Sequence, residues 1–155
     1  MLLIISDIMN KIKILHGDED LNDAYKIRQL VFIEEQKVPS ELEWDEMDKI
    51  ATHFILYFND IPIGTARTFV KDGIWYIGRM AVLKEYRNQG YGKLIMEYVL
   101  NYLKNKNPNK IIIYAQTTVL GFYKKFGFSE YGNEFFDAGI KHKAMLYRPY
   151  LNHHT

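Results

Sequence analysis

The chain has 155 residues, contains no cysteine and carries a formal net charge of +1, because 20 Lys and Arg residues nearly balance 19 Asp and Glu residues. This length is typical of one domain, and the near-neutral charge argues against a protein built to bind a nucleic-acid backbone. The absence of cysteine excludes disulfides, thiolate nucleophiles and cysteine-ligated metal sites. The apolar run MLLII at the N-terminus is too short to span a bilayer and has no basic stretch before it, so we expect a cytoplasmic protein with no membrane partner.

Hydrophobic periodicity, bounded by turn residues, divides the chain into strands and helices. The predicted strands are residues 11–15, 52–60, 61–70, 74–83, 110–116 and 142–148. The predicted helices are residues 20–36, with Asp20 as the N-cap, about 90–104, and 117–126. The strand 74–83 is apolar on both alternating faces, which is typical of a central strand. Hairpins together with one strand–helix–strand crossover predict an α+β fold with a mixed sheet.

A glycine-rich turn, EYRNQGYGKL at residues 85–94, follows the central strand and opens the second helix. It does not match a P-loop, because Arg87 stands where the first glycine should be and Leu94 where Ser or Thr should be. It does not match the dinucleotide fingerprint either, since Ile95 replaces the third glycine. A plain strand–helix turn without a ligand remains the structural alternative.

The context of this turn favours an anion site. The first backbone N–H groups of a helix have no intrahelical acceptor and carry the positive end of the helix dipole. Gly90 and Gly92 would let a phosphate approach these groups without a Cβ in the way. Arg87 and Lys93 add positive charge at the rim. A diphosphate fits this description.

Two motifs carry a family resemblance. The segment MAVLKEYRNQGYGKLIM, residues 80–96, resembles the acetyl-CoA motif of the GCN5-related N-acetyltransferases (GNAT). Its matching positions are Val82, Arg87, Gly90 and Gly92. The segment GFYKKFGF, residues 121–128, resembles the second motif of the same family, and the two motifs occur in the family's order and spacing. The resemblance covers roughly residues 11–150.

The remainder of the chain resembles one branch, the small bacterial acetyltransferases called ElaA-like or YjcF-like. The segments that carry this resemblance are residues 27–48, 114–116 and 135–145. The resemblance implies the GNAT acyl-CoA N-acyltransferase fold, a mixed, mostly antiparallel sheet with splayed central parallel strands, flanked by helices. It implies one domain over residues 1–155, with residues 1–10 as an N-terminal extension and residues 149–155 as a C-terminal tail. It also implies acetyl-CoA as co-substrate and no metal.

By this resemblance, backbone groups of the central strand and the glycine turn hold acetyl-CoA. The N–H group of Met80 would stabilise the oxyanion that forms on the thioester. The side chains of Met80 and Val82 are expected to pack in the core. The predicted cofactor-binding residues are Met80, Ala81, Val82, Arg87, Asn88, Gln89, Gly90, Tyr91, Gly92, Lys93 and Tyr123.

Tyr123 occupies the position of the family's general acid, where its phenol would protonate the sulfur of CoA. The alternative is an aromatic side chain that packs on its own helix. The base is less defined, because Tyr76 and Gly78 stand where some relatives carry a Glu or His base. Glu35, His142 or a chain of waters remains. His142 is the other catalytic candidate on a strand, and its alternative role is a packed, hydrogen-bonded residue.

Two charged residues interrupt the apolar face of the first predicted helix, Arg28 and Glu35. Buried charges must be paired, so they either form structural ion pairs, for instance with Arg79, or recognise the acceptor. The acidic segment 39–48 either attracts a cationic amine or forms a solvated loop. The predicted substrate-binding residues are Arg28, Glu35, Gln36, Arg79, Gln116 and His142.

The sequence therefore predicts an acetyl-CoA-dependent N-acetyltransferase that transfers acetyl directly to a primary amine in a ternary complex. A small-molecule amine is the expected acceptor, and protein acetylation is the second hypothesis. A non-catalytic acyl-CoA-binding module and a nucleotide-binding module unrelated to CoA are the rival classes. We expect no nucleic-acid partner, and the sequence leaves a homodimer open.

Overall fold

The structure is a computed structural model that describes residues 2–4 and 9–149. The rest of the predicted N-terminal extension, and the predicted C-terminal tail beyond residue 149, lie outside the described residues. The strands are β1 Leu2–Ile4, β2 Asn10–His16, β3 Thr52–Phe58, β4 Ile61–Lys71, β5 Ile74–Val82, β6 Ile111–Gln116, β7 Ser129–Asp137 and β8 Ile140–Tyr147. They form one sheet in the order β1-β2-β3-β4-β5-β6-β8-β7, in which only β5 and β6 pair in parallel.

Helices cover both faces of this sheet. They are α1 Asn22–Arg28, which continues as a π-helical segment Gln29–Glu35, α2 Ser40–Glu43, α3 Met47–Ile50, α4 Tyr91–Lys104 and α5 Leu120–Lys124. One face packs on α4, whose apolar stripe is fully buried at Ile95, Met96, Val99 and Leu103. The other face packs on α1 through a second cluster that includes Ala24, Ile27 and Ile55.

The mixed sheet flanked by helices confirms the predicted fold class, and each predicted strand lies within two residues of an observed one at both ends. The predicted turn at Asn59 and Asp60 has positive φ at both positions, 49° and 66°, as a tight hairpin requires. Asp20 does not itself begin the first helix, but its carboxylate accepts a hydrogen bond from the Asn22 N–H at 3.0 Å. The helix predicted through residue 36 ends at Glu35, and its second half is π-helical instead of α-helical.

Two strands escaped prediction. Strand β1 consists of three residues and adds to the sheet only through its pairing with β2. Strand β7 is exposed along nearly its whole length and is polar at most positions, so it shows no apolar alternation. A register shift between Tyr131 and Phe135 further disrupts its period. The acidic segment forms the two short helices α2 and α3 rather than a loop.

Candidate active site

The parallel strands β5 and β6 separate beyond their first residues. They pair only at Trp75 opposite Ile111 and at Tyr76 opposite Ile112. Past these positions a cleft of about 990 Å³ opens, and residues of both strands line it. The backbone of β5 is therefore paired with β4 on one side and open on the other, so an extended ligand can bind it as an added strand.

Strand β5 carries a β-bulge where it borders this cleft. Thr65 of β4 pairs with Ala81, whereas Arg67 pairs with Gly78, so β5 holds one extra residue between these pairs. Arg79 lies in the bulge with φ 48°, a left-handed conformation that costs a non-glycine residue about 1–3 kcal/mol. A bulge takes backbone groups out of the sheet ladder. The Met80 N–H, the predicted oxyanion donor, lies in this irregular stretch beside the cleft.

The side chain of Arg79 ties the bulge to the segment that contains α2. Its Nη2 donates to the carbonyl oxygen of Glu43 at 3.0 Å and to Asp45 Oδ2 at 3.2 Å. Its Nε forms an ion pair with Glu43 Oε2 at 3.0 Å. These contacts offset the backbone strain at Arg79 and hold the bulge in one conformation. They also correct the predicted partner of Arg79, which pairs with the acidic segment and not with the charges of the first helix.

The glycine turn has the geometry of an anion site. Gly90 has φ +87°, and a Cβ built on it would meet no atom within 4 Å, so the turn needs the conformation of glycine rather than its small size. Helix α4 follows, and its first intrahelical bond runs from the Leu94 N–H to the Gly90 carbonyl at 3.1 Å. The N–H groups of residues 91–93 therefore have no intrahelical acceptor, and Gly90, Gly92 and Lys93 all line the cleft.

Arg87 stands at the base of this turn, and it is already engaged. Its Nε donates to the Val82 carbonyl at 2.9 Å, and its two terminal nitrogens donate to Glu35 Oε2 at 2.6 Å and Oε1 at 2.7 Å. The hydrogen bond from Arg87 is the main reason that the pKa of Glu35 lies below its usual range. A carboxylate with a lowered pKa is a poor proton acceptor, and Glu35 does not line the cleft. The structure therefore shows Glu35 paired with Arg87 outside the cleft lining, and its role as base or acceptor ligand stays a prediction.

Tyr123 lies on α5, is 7% exposed and lines the cleft. Its ring makes edge contacts with Phe122 and Phe128, so the packing role proposed as the alternative is present. Burial raises the pKa of the Tyr123 phenol, which therefore keeps its proton at neutral pH. Among the described residues the hydroxyl has no hydrogen-bond partner. The phenol is protonated and lies beside the cleft, but its raised pKa makes it a weaker acid than an exposed tyrosine, so its role as general acid stays a prediction.

His142 lies on β8 and also lines the cleft. Its Nδ1 is 2.7 Å from the Ile140 carbonyl oxygen, which can only accept, so Nδ1 carries the proton. This contact selects the tautomer with the proton on Nδ1, in which Nε2 is the nitrogen that can accept a proton. The ring stacks on Phe135 at 5.8 Å, so His142 is packed and hydrogen-bonded and still offers one basic nitrogen.

A buried cluster of charges supports the wall of the cleft beside the bulge. Arg28 donates to Glu43 Oε2 and to Asp48 Oδ1, each at 2.8 Å, and is 1% exposed. Arg67 donates to Asp48 Oδ1 at 2.8 Å. We call this set the arginine–carboxylate cluster; its members are Arg28, Arg67, Arg79, Glu43, Asp45 and Asp48. Because Arg28 is buried in this cluster, the structure favours the structural alternative for this residue, and its role in acceptor recognition stays an untested prediction.

The two buried carboxylates of the cluster respond differently to their surroundings. Burial raises the pKa of Glu43, and the neighbouring guanidiniums only partly offset this effect. Burial would also raise the pKa of Asp48, but hydrogen bonds from Arg28 and Arg67 outweigh it and hold the pKa below its usual range. At Glu43 and Asp48 the acidic segment is therefore not a solvated loop. Both carboxylates are already paired with arginines, so they do not form an open binding surface for a cationic amine.

The other predicted ligands divide between cleft and core. Gln116 Nε2 donates to Gln36 Oε1 at 2.8 Å, and both side chains line the cleft, where they bridge β6 and the end of the π-helical segment. The Gln89 side chain donates to the Glu85 carbonyl outside the cleft. The Tyr91 ring packs on core aromatic side chains. The predicted positions that line the cleft are Met80, Ala81, Val82, Arg87, Asn88, Gly90, Gly92, Lys93, Tyr123, Gln36, Arg79, Gln116 and His142.

Aromatic side chains that the sequence did not place at the site line the cleft on the same face of the sheet as Arg67. Phe69, Tyr76 and Tyr114 all lie there. Phe69 lies two positions after Arg67 on β4, and side chains two positions apart in a strand lie on the same face of the sheet. This spacing is the sequence signal that could have placed Phe69 beside Arg67. The pairing of the strands was needed to show that the three aromatic side chains meet.

The described residues contain no group of three or more acidic or histidine side chains placed to hold a metal ion. No helix in residues 2–4 and 9–149 is long and apolar enough to cross a membrane.

Comparisons with known proteins agree with this geometry. The family model of the acetyltransferase (GNAT) domain matches residues 21–148. The "Uncharacterized N-acetyltransferase YjcF" of Bacillus subtilis is 37% identical over 137 residues, which is 88% of this chain and 98% of that protein. The crystal structure of Escherichia coli ElaA superposes with a TM-score of 0.82 at 25% identity, covering 90% of this chain and 100% of the other. The Tetrahymena GCN5 histone acetyltransferase domain in complex with coenzyme A, at 17% identity, shares the fold with a TM-score of 0.71, covering 97% of this chain and 100% of that one.

Proposed function

The chain belongs to the GNAT acetyltransferase family, and from this premise we propose that it transfers acetyl from acetyl-CoA directly to the primary amine of a small molecule. The observation that carries the proposal is the coincidence of three features at one cleft. Strands β5 and β6 separate just before the bulge, the glycine turn follows the bulge along the chain, and Tyr123 lines the same cleft. Each feature has a separate task in acyl transfer.

The residues present fit acetyl-CoA. The unpaired edge of β5 suits the amide groups of pantetheine, and the free N–H groups of residues 91–93 suit the pyrophosphate. Arg87 would supply charge at the phosphate end once a phosphate competes with Glu35 for its guanidinium. Acetyl-CoA supplies the acetyl thioester. The cleft brings it beside the bulge.

The chain's own groups then serve a direct transfer. The amine nitrogen attacks the carbonyl carbon, the C–N bond forms and the C–S bond breaks. The Met80 N–H would hold the oxyanion, and Tyr123 would give its proton to the departing sulfur. The amine gives up one proton, which His142 Nε2 or a water accepts and which finally restores the phenol. The net change is one proton moved from nitrogen to sulfur, with no acetyl-enzyme formed.

An assay with acetyl-CoA and a panel of primary amines tests the proposal. We expect an N-acetylated amine by mass spectrometry in amounts equal to the CoA released. Tyr123→Phe should lower kcat by about 100-fold, the scale of general acid catalysis, with little change in KM. Tyr98→Phe removes a hydroxyl from a partly buried tyrosine outside the cleft and should retain full activity. CoA release without any acetylated amine would contradict the proposal and favour an acyl-CoA-binding module.

Thermal stabilisation separates the remaining rival. CoA should raise the melting temperature, because a ligand that binds only the folded state stabilises it. Stabilisation by ATP or NAD but not by CoA would favour a nucleotide-binding module instead. The small-molecule nature of the acceptor, a cytoplasmic location and a homodimer stay predictions.

A further inference from the structure

A continuous row of aromatic rings crosses the sheet at the cleft. Phe69 stacks on Tyr76 with centroids 5.3 Å apart, and Tyr76 lies 6.0 Å from Tyr114. Tyr114 meets Phe135 edge-on at 5.7 Å, and Phe135 stacks on His142 at 5.8 Å. Every centroid distance falls in the range of attractive ring contacts. We call these five side chains the aromatic row.

The register of the sheet places all members of the row on one face. Phe69 pairs directly with Tyr76, and Tyr76 pairs with Ile112, two positions before Tyr114. Gln116, two further on, pairs with His142, and His142 pairs with Phe135. Since paired and alternate residues share a face, the row runs across β4, β5, β6, β8 and β7. Arg67, two positions from Phe69 on β4, lies on this face as well.

The row is open to ligands. Tyr114 is 52% exposed and Phe135 is 36% exposed, although both are large and aromatic. Phe69, Tyr76, Tyr114 and His142 line the cleft. Gly78 lies between Tyr76 and the bulge, and a Cβ built on Gly78 would meet no atom within 4 Å, so the space above it is free. A flat group can therefore lie on the row with a free path to the bulge.

The charges beside the row cancel. Three guanidiniums of the arginine–carboxylate cluster face three carboxylates, all from within the described part of the chain. At the rim of the cleft, Lys71 and Asp137 carry opposite charges. This wall therefore offers no surplus of negative charge to select a polycation. Aromatic surface is what distinguishes this end of the cleft.

We propose that the acceptor is an arylalkylamine, a primary amine joined through a short aliphatic spacer to an aromatic ring. The ring stacks on Tyr76 and Tyr114, and the amine reaches past Gly78 toward the bulge. Gly78 lies two positions after Tyr76 on the strand, a span of about 6–7 Å, which a short spacer covers. This inference rests on the proposed function for its chemistry, and it adds the class of acceptor.

Two amines of similar size isolate the contribution of the aromatic ring. The specificity constant kcat/KM should be about tenfold higher for phenethylamine than for its saturated analogue cyclohexylethylamine, the scale of one or two good ring contacts. The advantage of phenethylamine over n-butylamine and over spermidine should be larger still. Equal constants for the phenyl and cyclohexyl amines, or a preference for spermidine, would overturn the proposal.

Variants of Tyr114 locate the effect in the row. Tyr114→Ala should lower kcat/KM for phenethylamine by about tenfold and lower the ratio of the phenethylamine constant to the n-butylamine constant, whereas Tyr114→Phe should keep this ratio. Phe136→Ala is the matched control, because Phe136 is 71% exposed and neighbours Phe135 on the opposite face of β7. An equal loss in Phe136→Ala, or no loss in Tyr114→Ala, would overturn the assignment to this row.

A binding measurement keeps the inference testable without turnover. Calorimetry on the protein saturated with CoA should give a Kd for phenethylamine about tenfold below the Kd for cyclohexylethylamine. This preference without any acetylation would support the aryl site while refuting the proposed function. Acetylation of many amines with no aryl preference in either measurement would support the proposed function and refute the aryl site.

Discussion

Arg28→Met tests whether the arginine–carboxylate cluster holds the fold. The substitution keeps most of the side-chain length and removes a guanidinium that is 1% exposed. It deprives Glu43 and Asp48, with side chains 3% and 7% exposed, of a partner at 2.8 Å each. Removing one partner of a buried ion pair typically costs about 3–5 kcal/mol, because the other charge is left buried.

The remaining contacts set the expected value within this range. Asp48 keeps the Arg67 guanidinium at 2.8 Å, and Glu43 keeps Arg79 at 3.0 Å. Neither carboxylate is left wholly unpaired, so we expect the free energy of unfolding to fall by about 3 kcal/mol at pH 7. Both carboxyl pKa values should rise in the variant. A folded-state pKa that is raised favours the folded variant as pH falls, so its deficit should shrink between pH 7 and about pH 4.5.

Urea denaturation at several pH values measures this loss. Lys49→Met is the matched control, because the ion pair of Lys49 with Glu46 has side chains 77% and 84% exposed. Exposed pairs contribute about 0–1 kcal/mol, so this control should unfold almost as the parent does. Equal losses in the two variants, or a deficit in Arg28→Met that does not change with pH, would refute the reasoning about buried charge.

Three further substitutions probe the turn, the bulge and the base. Glu35→Gln should leave kcat within about twofold. It should change the free energy of unfolding by less than about 1 kcal/mol, because the ion pair with Arg87 is partly exposed. A loss of about 100-fold in kcat would support Glu35 as the base. Gly90→Ala should lower the free energy of unfolding by about 1–2 kcal/mol, because alanine is strained at a φ of +87°. Gly121→Ala is the control, since a Cβ there also meets no atom within 4 Å but the backbone does not have a positive φ. Equal denaturation midpoints for the two variants would contradict this reasoning. Arg79→Ala removes the contacts that tie the bulge to the segment containing α2, and it should lower kcat by about tenfold or more. The affinity for CoA, measured by calorimetry, should stay unchanged. A parallel loss of CoA affinity would contradict this prediction.

The sequence predicted what depends on neighbours along the chain. Apolar runs located the central strands, and the glycine spacing at residues 85–94 located the turn before α4. Contacts between distant segments were not predictable, since no local pattern shows that Arg28 meets Asp48 or that Arg87 meets Glu35. The same holds for the bulge, which is a mismatch of register between two strands.

The aromatic row shows the same limit at the candidate site. Tyr76 and Tyr114 are visible in the sequence, but only the pairing of β5 with β6 brings their rings together. Phe135 could not be placed at all, because the polar strand β7 shows no apolar alternation. The fold class was therefore accessible from local pattern and resemblance. The lining of the acceptor end required the three-dimensional arrangement.

Mass spectrometry of a single turnover tests the central claim most directly. The protein, in excess over acetyl-CoA, is mixed with phenethylamine, and both the amine and the intact protein are weighed over time. Direct transfer predicts one N-acetylamine formed for each acetyl-CoA consumed, with no change in protein mass at any time. An acetylated protein that precedes the product, or CoA released without acetylated amine, would contradict it.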